Sequence, residues 1–410
     1  MTDRPLYNTF SKEELNALLD RETFERRTLS FYRYTPIGDP TSFREEIYRL
    51  FAGMQCLGRI YVAHEGINAQ MSVPEPETEH FLGELDKLPG MKDMPIKWAV
   101  EDDSRSFLKL IVKTRKKIVA DGLEDDAYDV SNVGRHLTPE EFHRHSLDPE
   151  TLVVDMRNDY EYEIGHFNGA LNLQTDTFRE AMVRALDELG EQKDRKILLY
   201  CTGGVRCEKA SSWLKHHGFN DVNQLHGGII EYARFVRAEK LPSNFTGKNF
   251  VFDNRMGESI DGKVISHCHT CGEACDTYTN CSNDHCHVLF IQCSKCAEKY
   301  EGACSPHCQS ILHMSEEEKS SLSHEVLSNN PVAGFNNAAI RRRQFEVENT
   351  CTVNRSHAFL HDKKTAPADD FPRRQNPFSS LLLYKKQKYQ DGYTPSLWPG
   401  WNRVGGTDRW

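Results

Sequence analysis

In the stretch Cys201-Thr202-Gly203-Gly204-Val205-Arg206-Cys207 an apolar run ends on a thiol, two glycines follow, and an arginine opens a helical pattern. Backbone curling from a strand end into a helix start can aim several N–H groups at one point, where the helix dipole adds positive potential. A thiol at that point is driven toward thiolate, its nucleophilic form. Gly203 and Gly204 allow positive φ and leave room above the sulfur. Arg206 can close the cradle as a fixed cation. Cys201 is therefore the candidate reacting group, with Thr202, Gly203, Gly204, Val205 and Arg206 as its cradle. Cys207 reads either as a resolving thiol for an oxidised Cys201 or as a residue of the helix–sheet interface. Asp155 and Arg157 end the preceding strand. Asp155 is expected to orient loop backbone, and Arg157 to touch substrate or to pair with Glu161 or Glu163.

The spacing is Cys-x4-Arg, one residue shorter than the Cys-x5-Arg cradle of cysteine phosphatases, which is sized for a tetrahedral phosphate. The shorter loop fits a single sulfur or oxygen carried on Cys201.

A second concentration of chemistry lies further on, where nine of the thirteen cysteines fall between Cys268 and Cys308. The N-terminus has early acids and no apolar signal region, so a cytoplasmic location is expected, and metal ligation or thiol chemistry is favoured over disulfides. Cys268-x2-Cys271 and Cys293-x2-Cys296, separated by twenty-one residues, form two knuckle-like pairs that can present four thiolates to one tetrahedral zinc. Cys275, Cys281, Cys286, Cys304 and Cys308 leave a second site arithmetically open, without a ligand assignment. A reduced thiol cluster and an iron–sulfur cluster are the competing readings.

The elements that must position these groups follow from patterning. A polar leader occupies residues 1–26. From 27 to 120 the order strand, helix, strand, strand, helix, strand is that of a ferredoxin- or acylphosphatase-like α+β domain. Its last part carries Lys109, Lys113, Arg115, Lys116 and Lys117. These form either a lysine-protected edge strand or a phosphate-contacting strip for RNA. From 127 to 245 short apolar runs alternate with helices, as in an α/β domain with a parallel sheet, whose ligands sit beyond the carboxyl ends of strands. Cys201 stands at one such end. Residues 246–310 are the Cys-rich zinc-binding segment. The tail, 311–410, is polar, Pro/Gly-punctuated and expected to be largely disordered, with one short helix and a segment at Leu381–Tyr389 that can dock. With 410 residues the chain accommodates several such domains, and no run approaches the ~18–20 apolar residues of a membrane span. The formal net charge of -10 disfavours whole-surface binding to nucleic acid while leaving a local basic site open.

Three segments, "VVDMRNDYEYEIGHFNGALNL", "YCTGGVRC" and "LHGGIIEYA", resemble the successive signatures of a rhodanese domain. More of the chain, from about 27 to 308, resembles the tRNA uridine hydroxylase family, most specifically in "AHEGINAQ" and "CTGGVRCEKAS". That resemblance implies oxygen-dependent 5-hydroxylation of the wobble uridine, position 34, in the anticodon loop of tRNA. It implies molecular oxygen as co-substrate and an essential Cys201. The residues themselves show an activated cysteine, whose thiolate can add to C6 of a pyrimidine or carry a persulfide or sulfenate oxygen. No flavin, haem or 2-His-1-carboxylate signature is evident. Two rivals stand beside the hydroxylase: a persulfide sulfurtransferase using Cys201, and a zinc-stabilised RNA-binding scaffold with an inactive rhodanese domain.

Overall fold

The structure, a computed structural model, describes residues 6–322. The Leu381–Tyr389 segment and the rest of the tail beyond 322 lie outside the described residues. The leader contains a helix, α1 (Lys12–Leu19), fixed at its start by the reciprocal Ser11–Glu14 capping box.

The first domain runs β1 (Arg26–Tyr34), α2 (Pro40–Gly53), β2 (Leu57–Ala63), β3 (Gly66–Pro74), α3 (Thr78–Lys87) and β4 (Lys97–Trp98), and adds an edge strand, β5 (Leu110–Thr114). The sheet order is β4-β1-β3-β2-β5, antiparallel except for β5, which runs parallel to β2. Helix α2 starts where Asp39 accepts the Thr41 and Ser42 N–H groups. It buries Phe43, Ile47 and Phe51, spaced four apart on one face. Strand alternation then splits β1 and β4. Leu29, Phe31 and Trp98 pack with the helices, while Tyr32, Tyr34 and Lys97 stand on the opposite, open face.

The second domain comprises β6 (Arg135–Leu137), α4 (Pro139–His145), β7 (Leu152–Asp155), α5 (Asp159–Ile164), β8 (Gly165–Phe167), β9 (Leu171–Asn172), α6 (Phe178–Leu189), β10 (Ile197–Tyr200), α7 (Val205–His216), β11 (Val222–Leu225) and α8 (Gly228–Ala238). Its parallel sheet has the order β6-β11-β10-β7-β9, which makes β10 the middle strand. Ile197 and Leu199 enter one apolar cluster and Leu198 and Tyr200 the other. Cover on both faces explains why the strand before Cys201 is uninterruptedly apolar.

Next, β12 (Phe245–Asn249) pairs with β8 and with β13 (Glu258–Ser259). A hairpin of β14 (Tyr278–Asn280) and β15 (Leu289–Ile291) precedes α9 (Ser294–Tyr300), α10 (Pro306–Leu312) and α11 (Glu316–Ser320). Among the described residues no helix is long and apolar enough to cross a membrane.

Candidate active site

Cys201 follows the last residue of β10 and is 1 % exposed. Gly204, at φ +102°, turns the chain into α7 in a conformation that favours glycine, and its N–H donates to Cys201 Sγ at 3.1 Å. Gly203 takes no positive φ, so of the two glycines only Gly204 has the conformational role expected of both. The outside of the loop is held by α8. Ile229 N–H donates to the Cys201 carbonyl at 3.1 Å and Ile230 N–H to the Thr202 carbonyl at 3.3 Å. That approach needs Gly228, where a Cβ would stand 2.6 Å from both carbonyl oxygens. With the carbonyls engaged outward, loop N–H groups face the sulfur.

Burial by itself would raise the Cys201 thiol. The Cys207 thiol, the Arg206 guanidinium and the N–H groups of Cys207 and Arg206 overcome it and hold the group at about 6. Relative to a free thiol this is a preference of roughly 3 kcal/mol for the thiolate, so at neutral pH the sulfur is mostly ionised. Cys207 is driven the other way by burial and by Cys201, and stays protonated as a donor. It is fully buried in the same apolar cluster as Cys201.

Arg206, expected as a fixed cation, is held in place by a carboxylate. Its guanidinium is engaged bidentately by Glu161 of α5, at 2.6 and 2.8 Å, and both side chains are buried. The carboxylate neutralises most of that charge, so loop amides and the Cys207 thiol carry much of the thiolate stabilisation. Thr202 Oγ1 sits 3.4 Å from both Glu161 Oε2 and Arg206 Nη2. Val205 contributes its carbonyl, which accepts the Tyr34 hydroxyl at 3.1 Å.

Asp155 and Arg157 lie beneath the loop and pair with each other. Asp155 accepts Arg157 N–H and Nε at 2.9 Å, Nη2 at 2.6 Å, and the Tyr200 hydroxyl at 2.6 Å. Arg157 is thus paired with neither Glu161 nor Glu163 and is buried away from any substrate, with its remaining donation to the Gly165 carbonyl. The short Asp-x-Arg spacing lets one carboxylate take both backbone and guanidinium, which is why this pair closes locally.

The basic strip divides. Lys109, Arg115 and Lys116 are exposed and Lys113 is half-buried on edge strand β5. Lys117 is not a free cation, because its ammonium donates to Asp121 Oδ1 at 2.9 Å and to the Leu123 carbonyl at 2.7 Å.

Three residues that the sequence did not single out, together with Glu161, weighed there only as a partner for Arg157, complete the site. The Tyr32 hydroxyl donates to Glu208 Oε1 on α7 at 2.8 Å, and the Lys97 ammonium lies 4.4 Å from the centre of the Tyr32 ring. Glu161 and Glu208 supply the carboxylates. The open face of the first domain's sheet therefore roofs the thiol loop of the second. The one local signal was Lys97, a lysine between Ile96 and Trp98 in an otherwise apolar strand.

In the Cys-rich segment, Cys268, Cys271, Cys293 and Cys296 bring their sulfurs within 4.8 Å of one another, and so do Cys281, Cys286, Cys304 and Cys308. Four thiolates at ~2.3 Å around a tetrahedral zinc are separated by ~3.8 Å. Cys271–Cys293 and Cys286–Cys304 stand at 3.7 Å and Cys304–Cys308 at 3.6 Å. Backbone N–H groups of Cys293 and Cys304 donate to Cys268 and Cys281 sulfur, each at 3.3 Å, as thiolate ligands require. Both donor sets fit zinc, and Cys275 belongs to neither.

A rhodanese-type sheet carrying an activated cysteine loop, roofed by an α+β domain and followed by paired thiol clusters, defines a rhodanese-domain protein of specialised architecture. Family models agree piece by piece: a UPF0176 acylphosphatase-like domain at 26–118, a rhodanese-like domain at 138–234 and a rhodanese C-terminal domain at 246–309. Over 344 residues the chain is 52 % identical to a protein of Leptospira interrogans named tRNA uridine(34) hydroxylase, covering 84 % of this chain and 93 % of that one. Over 304 residues it is 51 % identical to an Escherichia coli protein of the same name, covering 74 % and 87 % respectively. The chain belongs to the tRNA uridine(34) hydroxylase family.

Proposed function

We propose that this protein hydroxylates C5 of uridine 34 in the anticodon loop of tRNA, with molecular oxygen as co-substrate and Cys201 as the reacting group. The observation that carries this reading is the Cys201 thiolate, held at about 6 beneath a roof from the family's own N-terminal domain. Addition of that thiolate to C6 of the uracil ring makes C5 electron-rich, and C5 is the position to be hydroxylated. The cradle residues 202–206 hold the sulfur, while Asp155 and Arg157 brace the loop from below. Lys109, Lys113, Arg115 and Lys116 give the tRNA backbone a cationic edge. The clusters at Cys268/Cys271/Cys293/Cys296 and Cys281/Cys286/Cys304/Cys308 hold structural zinc, which fastens the Cys-rich segment.

The test is nucleoside mass spectrometry of tRNA from a host lacking the activity, complemented with wild type or Cys201→Ser. Wild type is expected to restore 5-hydroxyuridine derivatives, with label from ¹⁸O₂, and Cys201→Ser to restore none. Failure of wild type to restore any sinks the reading.

A further inference from the structure

Lys97 is 6 % exposed, its ammonium makes no hydrogen bond or ion pair among the described residues, and the nitrogen itself keeps a small opening to solvent. It lies over the Tyr32 ring, and its stem passes the thiol loop, where a Cβ on Gly203 would stand 3.8 Å from Lys97 Cδ. A largely desolvated, unpaired ammonium is costly, and a cation–π contact offsets only part of that cost. Other buried cations here have carboxylate partners. Arg206 has Glu161, Arg157 has Asp155, and Lys209 has both Glu65 and Asp121. Lys97 has no such partner, and it shares the neighbourhood of the reactive sulfur with Arg206.

We propose that Lys97 is a catalytic residue: its ammonium is the seat for the oxyanion that develops on the substrate when Cys201 attacks. The proposal rests on the hydroxylase reading of the same site. When the thiolate adds, the S–C6 bond forms and the C5=C6 π bond breaks. Its electron pair becomes the C4=C5 bond of an enolate, and the C4=O4 π pair moves onto O4. Lys97 donates a hydrogen bond to that O4, and the addition needs no oxidant or reductant. Aiming a fixed donor where charge develops is the usual source of such rate enhancement. Burial holds Lys97 down at about 8, with Glu231, Cys201 and Glu208 opposing it, so it remains charged at neutral pH. His226, lowered by its own burial, by His136 and by Lys97, stays neutral there and does not compete as a cation. The ammonium comes from the first domain and the thiol from the second, so neither domain makes the site alone.

A structural role and a catalytic one predict opposite stability changes. Lys97→Met keeps most of the length of the stem and removes a largely desolvated, unpaired charge. We expect its melting temperature to stay level or rise by a few degrees, while 5-hydroxyuridine formation on tRNA falls about 10²-fold or more. Lys97→Arg is expected to recover part of that loss. Peptide-resolved alkylation of Cys201 across pH gives a second readout, with its midpoint displaced upward in Lys97→Met. Wild-type hydroxylation by Lys97→Met, or a parallel loss of melting temperature and activity, overturns the proposal. If wild type itself makes no 5-hydroxyuridine, the hydroxylase reading fails. The alkylation profile then decides for Lys97 alone: an unmoved midpoint overturns it and a displaced one supports it.

Discussion

The Tyr32 hydroxyl, on the open face of the N-terminal sheet, donates to Glu208 Oε1 on α7 at 2.8 Å. Helix α7 begins at the thiol loop, so this bond ties the loop's own helix to the other domain. Glu208 also receives Gln224 Nε2 at 2.8 Å and lies 3.0 Å from His136 Nε2. Tyr32→Phe removes one donor from a largely buried carboxylate and should cost about 1.5–3 kcal/mol of stability. Urea unfolding measures it, and a loss under ~0.5 kcal/mol, the low end for a hydrogen bond, would show the bond to be incidental.

The Cys201 thiol titrates near 6 in the fold and near 8.5 in an unfolded chain. A folded value below the unfolded one stabilises fully above about pH 8.5, and that contribution fades as pH falls toward 6. Alkylation of Cys201 should therefore rise with a midpoint near pH 6 and level off by about pH 7.5. A midpoint near 8.5, the value of a free thiol, in mass-spectrometric labelling would contradict the cradle described above.

Breaking the Glu161–Arg206 pair leaves a buried guanidinium uncompensated. Glu161→Gln should destabilise by about 3–5 kcal/mol, and adding Arg206→Met should recover part of that, because the stranded charge is gone. Chemical denaturation of the two variants tests the order; additive losses would refute it.

Two tetrathiolate sites predict two zinc equivalents per chain. Cys296→Ser and Cys304→Ser should each lose one, and cobalt substitution should give thiolate charge-transfer bands at both. Elemental analysis of protein prepared under reducing conditions decides the count, and a single equivalent in wild type removes one site.

Beside the edge strand, Lys109→Ala, Arg115→Ala and Lys116→Ala should each lower the slope of log affinity for tRNA against log salt by about one, the share of a single neutralised phosphate. Lys117→Ala should leave that slope unchanged and cost stability instead, because its ammonium is committed to Asp121. Binding measured from about 50 to 200 mM salt separates the two behaviours.

What the sequence determined by itself was local in origin. An apolar strand ending in Cys201, a glycine at the helix start and Cys-x2-Cys knuckles are each specified by neighbours within a few residues. So is the strand–helix order of the first domain, and β5 extends it without disturbing the order β4-β1-β3-β2. Tertiary structure decided the partners. Arg206 found Glu161 forty-five positions away, and Arg157 turned to Asp155 instead of substrate. The two cysteine sets interleave along the chain because the β14–β15 hairpin separates the halves of the first and carries Cys281 and Cys286 of the second in its loop, so spacing could isolate the first set only by its knuckles. Lys97 and Tyr32 gained their meaning when alternation placed them on an open sheet face and a second domain covered it. Charges and thiols act through distance in space. Distance along the chain fixes that only within a turn or a strand, and packing fixes the rest.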